Sequence, residues 1–517
     1  MLAAFTTQAI AMVSATAKTN AKYGSWASPI TAKFITTSGV RLGALSLDSA
    51  DSLYWLEGRP QEGGRQAVVN YKGPDAPGVS ERGAIDVTPK DVNVRTRVHE
   101  YGGGAYVQGP GGGIIYSDFK TQRLHWAKGA DDASPLCLTP ESVAPNGQYR
   151  FADGCVIPGG KAMVCVREDH SPTGDAKPAD VVNEVVSVAL DGTGEMVVLA
   201  TGRDFYGHPR VSPDGKSLAY VCWDHPSMPW DATKLCVTDV AAAASSPSTA
   251  EHTQVAGEDG DTSVIQPLWH PTSGALYFID DSSGYWNIKR APADLASGRL
   301  GKATSRCAAK VDFGGSSPGW SFGQQGFQFL ADGRCIAQYT DKETGRSTLL
   351  AFADTDDAAA AEASAQRFGA ADGLPPQFGS LTPTSDGKTL YFMGGSAGEP
   401  GGIYRWTVPA AGVAAGSSGA EAAEMLACSS SQRLPEGYVS VPSLISFPTT
   451  LGEAYAYYYA PTNAEYESTD ESAPPLLVKV GDPSPLPAAP LVSSRRLSSP
   501  LVVSAYRCSP RTPNESC

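Results

Sequence analysis

The 517-residue sequence predicts an all-β chain: a seven-bladed β-propeller, followed by the incomplete start of a second domain. Three observations carry this reading. Short β-type runs recur seven times, each behind a turn containing Gly, Asp or Pro. Helical periodicity is almost absent over the same span. Beyond the repeats the texture changes to tyrosine-rich strands and then to a proline-rich tail.

The seven runs are Leu53–Leu56, Ile114–Tyr116, Met163–Val166, Leu218–Val221, Leu276–Ile279, Cys335–Tyr339 and Leu390–Met393. Turns such as Pro158-Gly159-Gly160-Lys161, Ser212-Pro213-Asp214-Gly215-Lys216 and Ser385-Asp386-Gly387-Lys388 precede them. Their spacing of about 50 to 60 residues suits a blade of four strands, each of roughly 5 to 6 residues, with generous loops. One twisted four-stranded sheet cannot bury both faces, whereas sheets stacked radially bury each other and leave only short edges. The propeller is expected over residues 23–433, behind a leader at 1–22 that is either disordered or a transit segment. Ala-rich stretches near Ala241–Ala244 and Asp357–Ala365 have Ser, Asp and Gly neighbours and read as insertions that connect blades.

After the Ala, Gly and Ser-rich linker Pro409–Glu424, strand-type runs return at Leu444–Pro448, Ala454–Tyr459 and Leu476–Val480. They are expected to be the first strands of a second domain over residues 440–480. From Gly481 there are seven prolines in 37 residues and none of the strand-helix alternation that a parallel sheet requires. A Pro/Ser-rich disordered tail is expected over 481–517.

The net charge of −14 and pI near 5.0 argue against nucleic acid and anionic membrane surfaces as partners, since both are bound through clustered Lys and Arg. The ten cysteines include no C-x-x-C pair, so zinc or thioredoxin-like chemistry has no spacing to support it. They read as buried thiols in a reducing compartment. No run approaches the ~18 apolar residues of a membrane span, and the first residues lack the apolar core of a secretory signal. A cytoplasmic location is expected. The Ala/Thr-rich stretch Met1–Tyr23 has no acidic residue, which leaves chloroplast or mitochondrion as the alternative.

Several segments resemble the S9 (prolyl oligopeptidase) family of serine peptidases, in the branch of dipeptidyl aminopeptidases and acylaminoacyl peptidases. Tyr23-Gly24-Ser25-Trp26-Ala27-Ser28-Pro29-Ile30 is similar to the family's opening, and Val94-Arg95-Thr96-Arg97-Val98-His99-Glu100-Tyr101-Gly102-Gly103-Gly104-Ala105-Tyr106 to its most distinctive propeller segment. Phe205–Asp231 and the stretch from Ile445 to Val480 extend the match. The resemblance implies a propeller that filters short peptides on their way to an α/β-hydrolase domain, with no metal or organic cofactor. In the family, the strand matching Leu476–Val480 leads into a His-Gly-Gly-Pro loop; here Gly481-Asp482-Pro483 follows.

An α/β-hydrolase needs a nucleophilic Ser on a G-x-S-x-G elbow, followed in the chain by Asp or Glu and then His. The seven histidines are 99, 125, 170, 208, 225, 252 and 270, so none follows the start of the second domain. Gly315-Ser316-Ser317-Pro318-Gly319 fits the elbow literally, but it sits amid propeller repeats with Pro beside the serine and reads as a loop. The expectation is therefore the propeller portion of an S9 peptidase, truncated in its catalytic domain, with no catalytic residue and no activity of its own. The alternative is a noncatalytic propeller that binds peptides or proteins as a scaffold.

His99 and Glu100 are candidate substrate-facing residues, because a carboxylate at a propeller's mouth can hold a peptide ammonium and an adjacent imidazole can tune it. The competing reading is a structural turn, in which Gly102, Gly103 and Gly104 allow close backbone approach. Arg167 and Glu168, at the end of an apolar strand, are candidates of the same kind, with a salt-bridged strand end as the competing reading. Expected partners are short peptides in complete relatives, and another S9 chain or a second copy of this one, through uncovered strands of the second domain. For that reason a chain ending near Arg433 is expected to be the more soluble form.

Overall fold

The computed structural model describes residues 17–517 apart from 37–38, 130–131, 133, 142–148, 172–179, 258–259, 295–298, 308–309, 315–318, 320, 414–420, 451, 470–475, 480–500 and 505–517. The chain forms two compact units: Ser38–Ser431, and a second comprising Met1–Thr37 with Gln432–Cys517.

Ser38–Ser431 is a seven-bladed propeller in which every blade is a four-stranded antiparallel meander in chain order. The blades run from Arg41 to Asp86, Tyr106 to Cys137, Tyr149 to Ala200, Phe205 to Ala256, Val264 to Ser305, Phe327 to Phe368 and Gln377 to Cys428. Each apolar run found in the sequence falls in the second strand of its blade: Leu53–Arg59, Ile114–Ser117, Ala162–Asp169, Ser217–Trp223, Leu276–Asp280, Cys335–Thr340 and Thr389–Ser396. Second strands pair on both edges and are covered on both faces, so they read as continuous apolar runs.

The core is seven clusters, one at each junction between neighbouring blades. Val164, Val166 and Val185 of blade 3 meet Tyr206, Leu218 and Tyr220 of blade 4, for example. Leu53, Trp55, Val69 and Ala84 of blade 1 meet Ile403 and Ala427 of blade 7 and so close the ring. Asp51 adds hydrogen bonds from the Ser385 amide and hydroxyl at 2.8 and 2.6 Å across that same junction.

The first strands carry a recurrent irregularity. Blades 1, 3, 4, 5 and 7 shift register at a bulge, and each bulge holds a non-glycine residue at positive φ: Ala44, Asp153, His208, Gln266 and Ser380. A bulge re-aims side chains and breaks the ladder. The Ala-rich stretches differ from expectation. They lie between the third and fourth strands of blades 4 and 6 and form the short helices Val240–Ser245 and Ala358–Ala363. Asp239 and Asp357 supply the reason, since each accepts hydrogen bonds from first-turn amides that would otherwise go unsatisfied.

Residues 23–37, expected to open the propeller, belong instead to the other unit. There Thr19–Asn20 pairs in parallel with Tyr466–Glu467, and Asn463 Nδ2 donates to the Ala27 carbonyl at 2.8 Å. Thr19–Asn20 is thus a strand within the segment expected as leader, whose residues 1–16 lie outside the described ones. The main sheet of this unit has the order Ser443–Thr449, Gly452–Tyr459, Leu501–Ser504, Leu477–Lys479. Leu501–Ser504 is a strand inside the stretch expected as tail; the remainder of 481–517 lies outside the described residues.

Candidate functional site

Because every blade is a meander, first strands begin, second strands end and third strands begin at the same end of the propeller. The connections from blade to blade gather there too. The segment Val94–Ala105 is one of them, joining blade 1 to blade 2.

Within it, Val98–Glu100 is a single 3-10 turn, with His99 at φ 52° and Glu100 at φ 62°. Gly102, Gly103 and Gly104 follow at positive φ. A Cβ on Gly102 would lie 2.6 Å from the Thr96 carbonyl oxygen, and one on Gly103 would lie 2.3 Å from that of Phe322. The glycine run therefore permits a close backbone approach that any side chain would block.

The His99 amide donates to Glu168 Oε1 at 2.7 Å. Its ring stands edge-on to Phe205 and Trp223 at 5.3 and 5.5 Å and tilts against Phe322 at 5.0 Å. His99 thus enters an aromatic cluster, with both ring nitrogens buried. The Glu100 side chain is 74% exposed and pairs with Arg150 Nη1 at 2.6 Å. The same Nη1 donates to the Arg97 carbonyl at 3.1 Å and lies 3.6 Å from Glu168. Burial pushes the Glu168 carboxyl up, but hydrogen bonds from His170 and His99 and the charge of Arg150 outweigh it and hold the group below the usual carboxylate range.

His99, Glu100 and Glu168 thus come together around Arg150. Arg167 does not join them. Successive strand residues point to opposite faces, so Arg167 lies behind the sheet from Glu168. It is buried, bonded to Glu184 through Nε and Nη2, with its guanidinium 4.7 Å from the Tyr149 ring.

Sequence reasoning did not single out Arg150, Phe322 or the Asp153–His208–Arg210 group. Phe322 belongs to the connection between blades 5 and 6, yet its amide donates to the Gly102 carbonyl at 3.2 Å and its ring packs on His208. Gly102 lies between blades 1 and 2 and Phe322 between blades 5 and 6, which are not neighbours in the ring, so these contacts bridge the propeller at this end. Asp153 Oδ2 accepts the His208 amide at 2.8 Å, and Oδ1 accepts Arg210 Nη2 at 2.9 Å. Burial depresses the His208 imidazole to about 4, against a partial offset from Asp153. Nothing in the Gly- and Ser-rich stretch around Phe322 signals a crossing. The elbow-like Gly315-Ser316-Ser317-Pro318 there lies outside the described residues, as does the loop after Ser171.

No metal-ligating cluster of three His, Cys, Asp or Glu occurs among the described residues, and none of the eight described cysteines is in a disulfide. No described helix is long and apolar enough to cross a membrane.

Neither a family model nor a curated protein matches the sequence. Solved structures do. A puromycin-hydrolysing peptidase of Mycobacterium tuberculosis superposes with TM-score 0.71 at 27% identity, over 89% of this chain and 64% of that one. A puromycin hydrolase gives TM-score 0.73 at 25% identity, over 94% of this chain and 69% of that one. Its structural neighbours are thus puromycin-hydrolysing peptidases and prolyl oligopeptidases, of the S9 family that its sequence resembles. Prolyl oligopeptidase B of Galerina marginata shares the fold, with TM-score 0.53 at 10% identity over 81% of this chain. The chain spans 64% of the length of the M. tuberculosis peptidase. Its most recognisable segment, Val94–Tyr106, contributes Glu100 to the Glu100–Arg150–Glu168 cluster.

Proposed function

We propose that this chain supplies the substrate-filtering propeller of an S9-type serine peptidase, and that it does not hydrolyse peptides by itself. The observation that carries the reading is the likeness to puromycin hydrolase over 94% of this chain. The histidine count supports the second half: these 517 residues hold none after His270, so no general base can follow a nucleophile in the second unit. Residues 440–480 would then be the opening strands of an α/β-hydrolase domain. Acyl transfer from a peptide to an activated serine is the reaction of a complete relative, and it calls for no cofactor. The eight described cysteines, none of them in a disulfide, suit a reducing, cytoplasmic setting.

In this reading Glu100 is the substrate-facing group. Its carboxylate is exposed, and Arg150 fixes its position from behind. A peptide ammonium arriving there would gain a charge-assisted hydrogen bond. His99 and Glu168 act as positioning residues, holding the turn that presents Glu100. The test is direct binding of short fluorescent peptides to the full chain and to Glu100→Gln. Peptides with free amino termini are expected to lose about five- to tenfold in affinity, N-acetylated ones little. An equal loss for both kinds, with folding intact, would return Glu100 to a purely structural role.

A further inference from the structure

The side chains of two arginines of the same segment have no part in the cluster around Arg150. The guanidinium of Arg95 lies 4.9 Å, and that of Arg97 4.4 Å, from the centroid of one ring, Phe119. Neither has an ion pair with any carboxylate among the described residues, although the chain carries 54 acidic residues against 40 basic ones. Arg59, Arg65, Arg82, Arg150, Arg203 and Arg210, by contrast, all have one.

The arrangement is built rather than incidental. Gln122 is buried at 1% exposure, with φ 56°. Its Oε1 accepts the Arg97 amide at 2.9 Å and its Nε2 donates to the Phe119 carbonyl at 2.8 Å. One buried side chain therefore fixes the arginine backbone against the backbone of the ring. The Arg95 amide donates to Ser117, and the Phe119 amide to Asn93, completing the frame.

A guanidinium on an aromatic face keeps its N–H edge free, and that edge matches a carboxylate in two parallel hydrogen bonds. Two like charges over one ring repel each other until an anion lies between or beside them. Polyanions are disfavoured by the net charge of −14, whereas a single carboxylate is not.

We propose that Arg95 and Arg97, stacked on Phe119, form a binding site for a peptide carboxylate, supplied by a C-terminus or by an Asp or Glu side chain. The inference rests on the peptide-filtering reading above and names a second contact that this end of the propeller makes with its substrate. Glu100 selects positive charge; three residues away, Arg97 selects negative charge.

The experiment uses the full chain and three N-acetylated fluorescent tetrapeptides, so that no amino terminus contributes. One ends in a free carboxylate, one is its amide, and one is an amide carrying a Glu. At low salt the free acid or the Glu peptide is expected to bind about five- to twentyfold tighter than the plain amide, and which of them does so identifies the carboxylate's source. The advantage should vanish in Arg95→Gln/Arg97→Gln and persist in part in Arg95→Lys/Arg97→Lys, with thermal unfolding unchanged in both. Equal affinity for all three peptides, or an advantage that survives in the glutamine variant, overturns the proposal while leaving the peptide-filtering reading intact. No binding by any of the three also overturns the proposal, while the peptide-filtering reading stands or falls with the free-amine peptides above.

Discussion

His208 offers the sharpest residue-scale consequence. Burial holds its imidazole near 4, against an unfolded value of about 6.5, so between those values the unfolded chain binds the extra proton. Stability therefore rises with pH across that window and falls as pH drops from about 6.5 toward 4, by at most about 3 kcal/mol from this one group. His208→Asn should be somewhat less stable at pH 7 yet lose less on acidification to pH 5. Parallel melting-temperature profiles for the two proteins would contradict this assignment. At this end of the propeller, Glu100 and the glycine run were legible in the sequence, because adjacent charge and repeated Gly stand out in a strand-turn pattern. Arg150 and Phe322 were not. An arginine near the start of a strand and a phenylalanine in a Gly-rich stretch carry no local signal of a partner fifty or more residues away. Arg167 parts from Glu168 for a related reason, since adjacency in sequence means opposite faces in a strand.

At the scale of the element, the recurrent device is the bulge of the first strand. At two places its side chain reaches the next blade: Asp153 accepts the His208 amide, and Gln266 accepts the buried amide of Gly326. Gln266→Ala leaves that N–H without an acceptor and should destabilise the propeller by about 1–3 kcal/mol, the cost of an unsatisfied buried donor. Chemical denaturation measures it, and a change below about 0.5 kcal/mol would mean that water or a shifted backbone takes over the bond. Second strands could be found in the sequence because each is a largely apolar run behind a turn containing Gly, Asp or Pro. First strands are interrupted by their bulges, and several fourth strands are only two or three residues long, as at Leu136–Cys137 and Thr304–Ser305, so periodicity cannot detect them. The two short helices escaped because alanine runs bounded by Ser and Gly look like linkers unless the Asp before them is recognised as a cap.

For the whole molecule, the two units have different surfaces. The propeller buries an apolar cluster at every blade junction, and Leu53, Trp55 and Ile403 seal the seam where the first and last blades meet. In the other unit Ile445, Leu476, Leu477 and Val478 are exposed, at 39, 61, 47 and 48%. Exposed apolar strand residues invite pairing with other chains. Residues 38–431 alone should therefore run as a monodisperse monomer in size-exclusion chromatography, while the full chain associates at the same concentration. The boundaries differ from the expected 23–433 because Thr19–Asn20 and Ala27 hold partners near residues 463–467, and keeping them without those partners would expose another edge. A monodisperse full-length chain would show those apolar strands to be covered. The central claim, a peptide-filtering propeller that supplies no triad of its own, is tested most directly by incubating the purified full chain with a serine-directed fluorophosphonate and with free and acylated chromogenic dipeptides. The account predicts no labelled serine and no turnover above the buffer rate; stoichiometric labelling of one serine, with turnover that co-purifies with the chain, would contradict it.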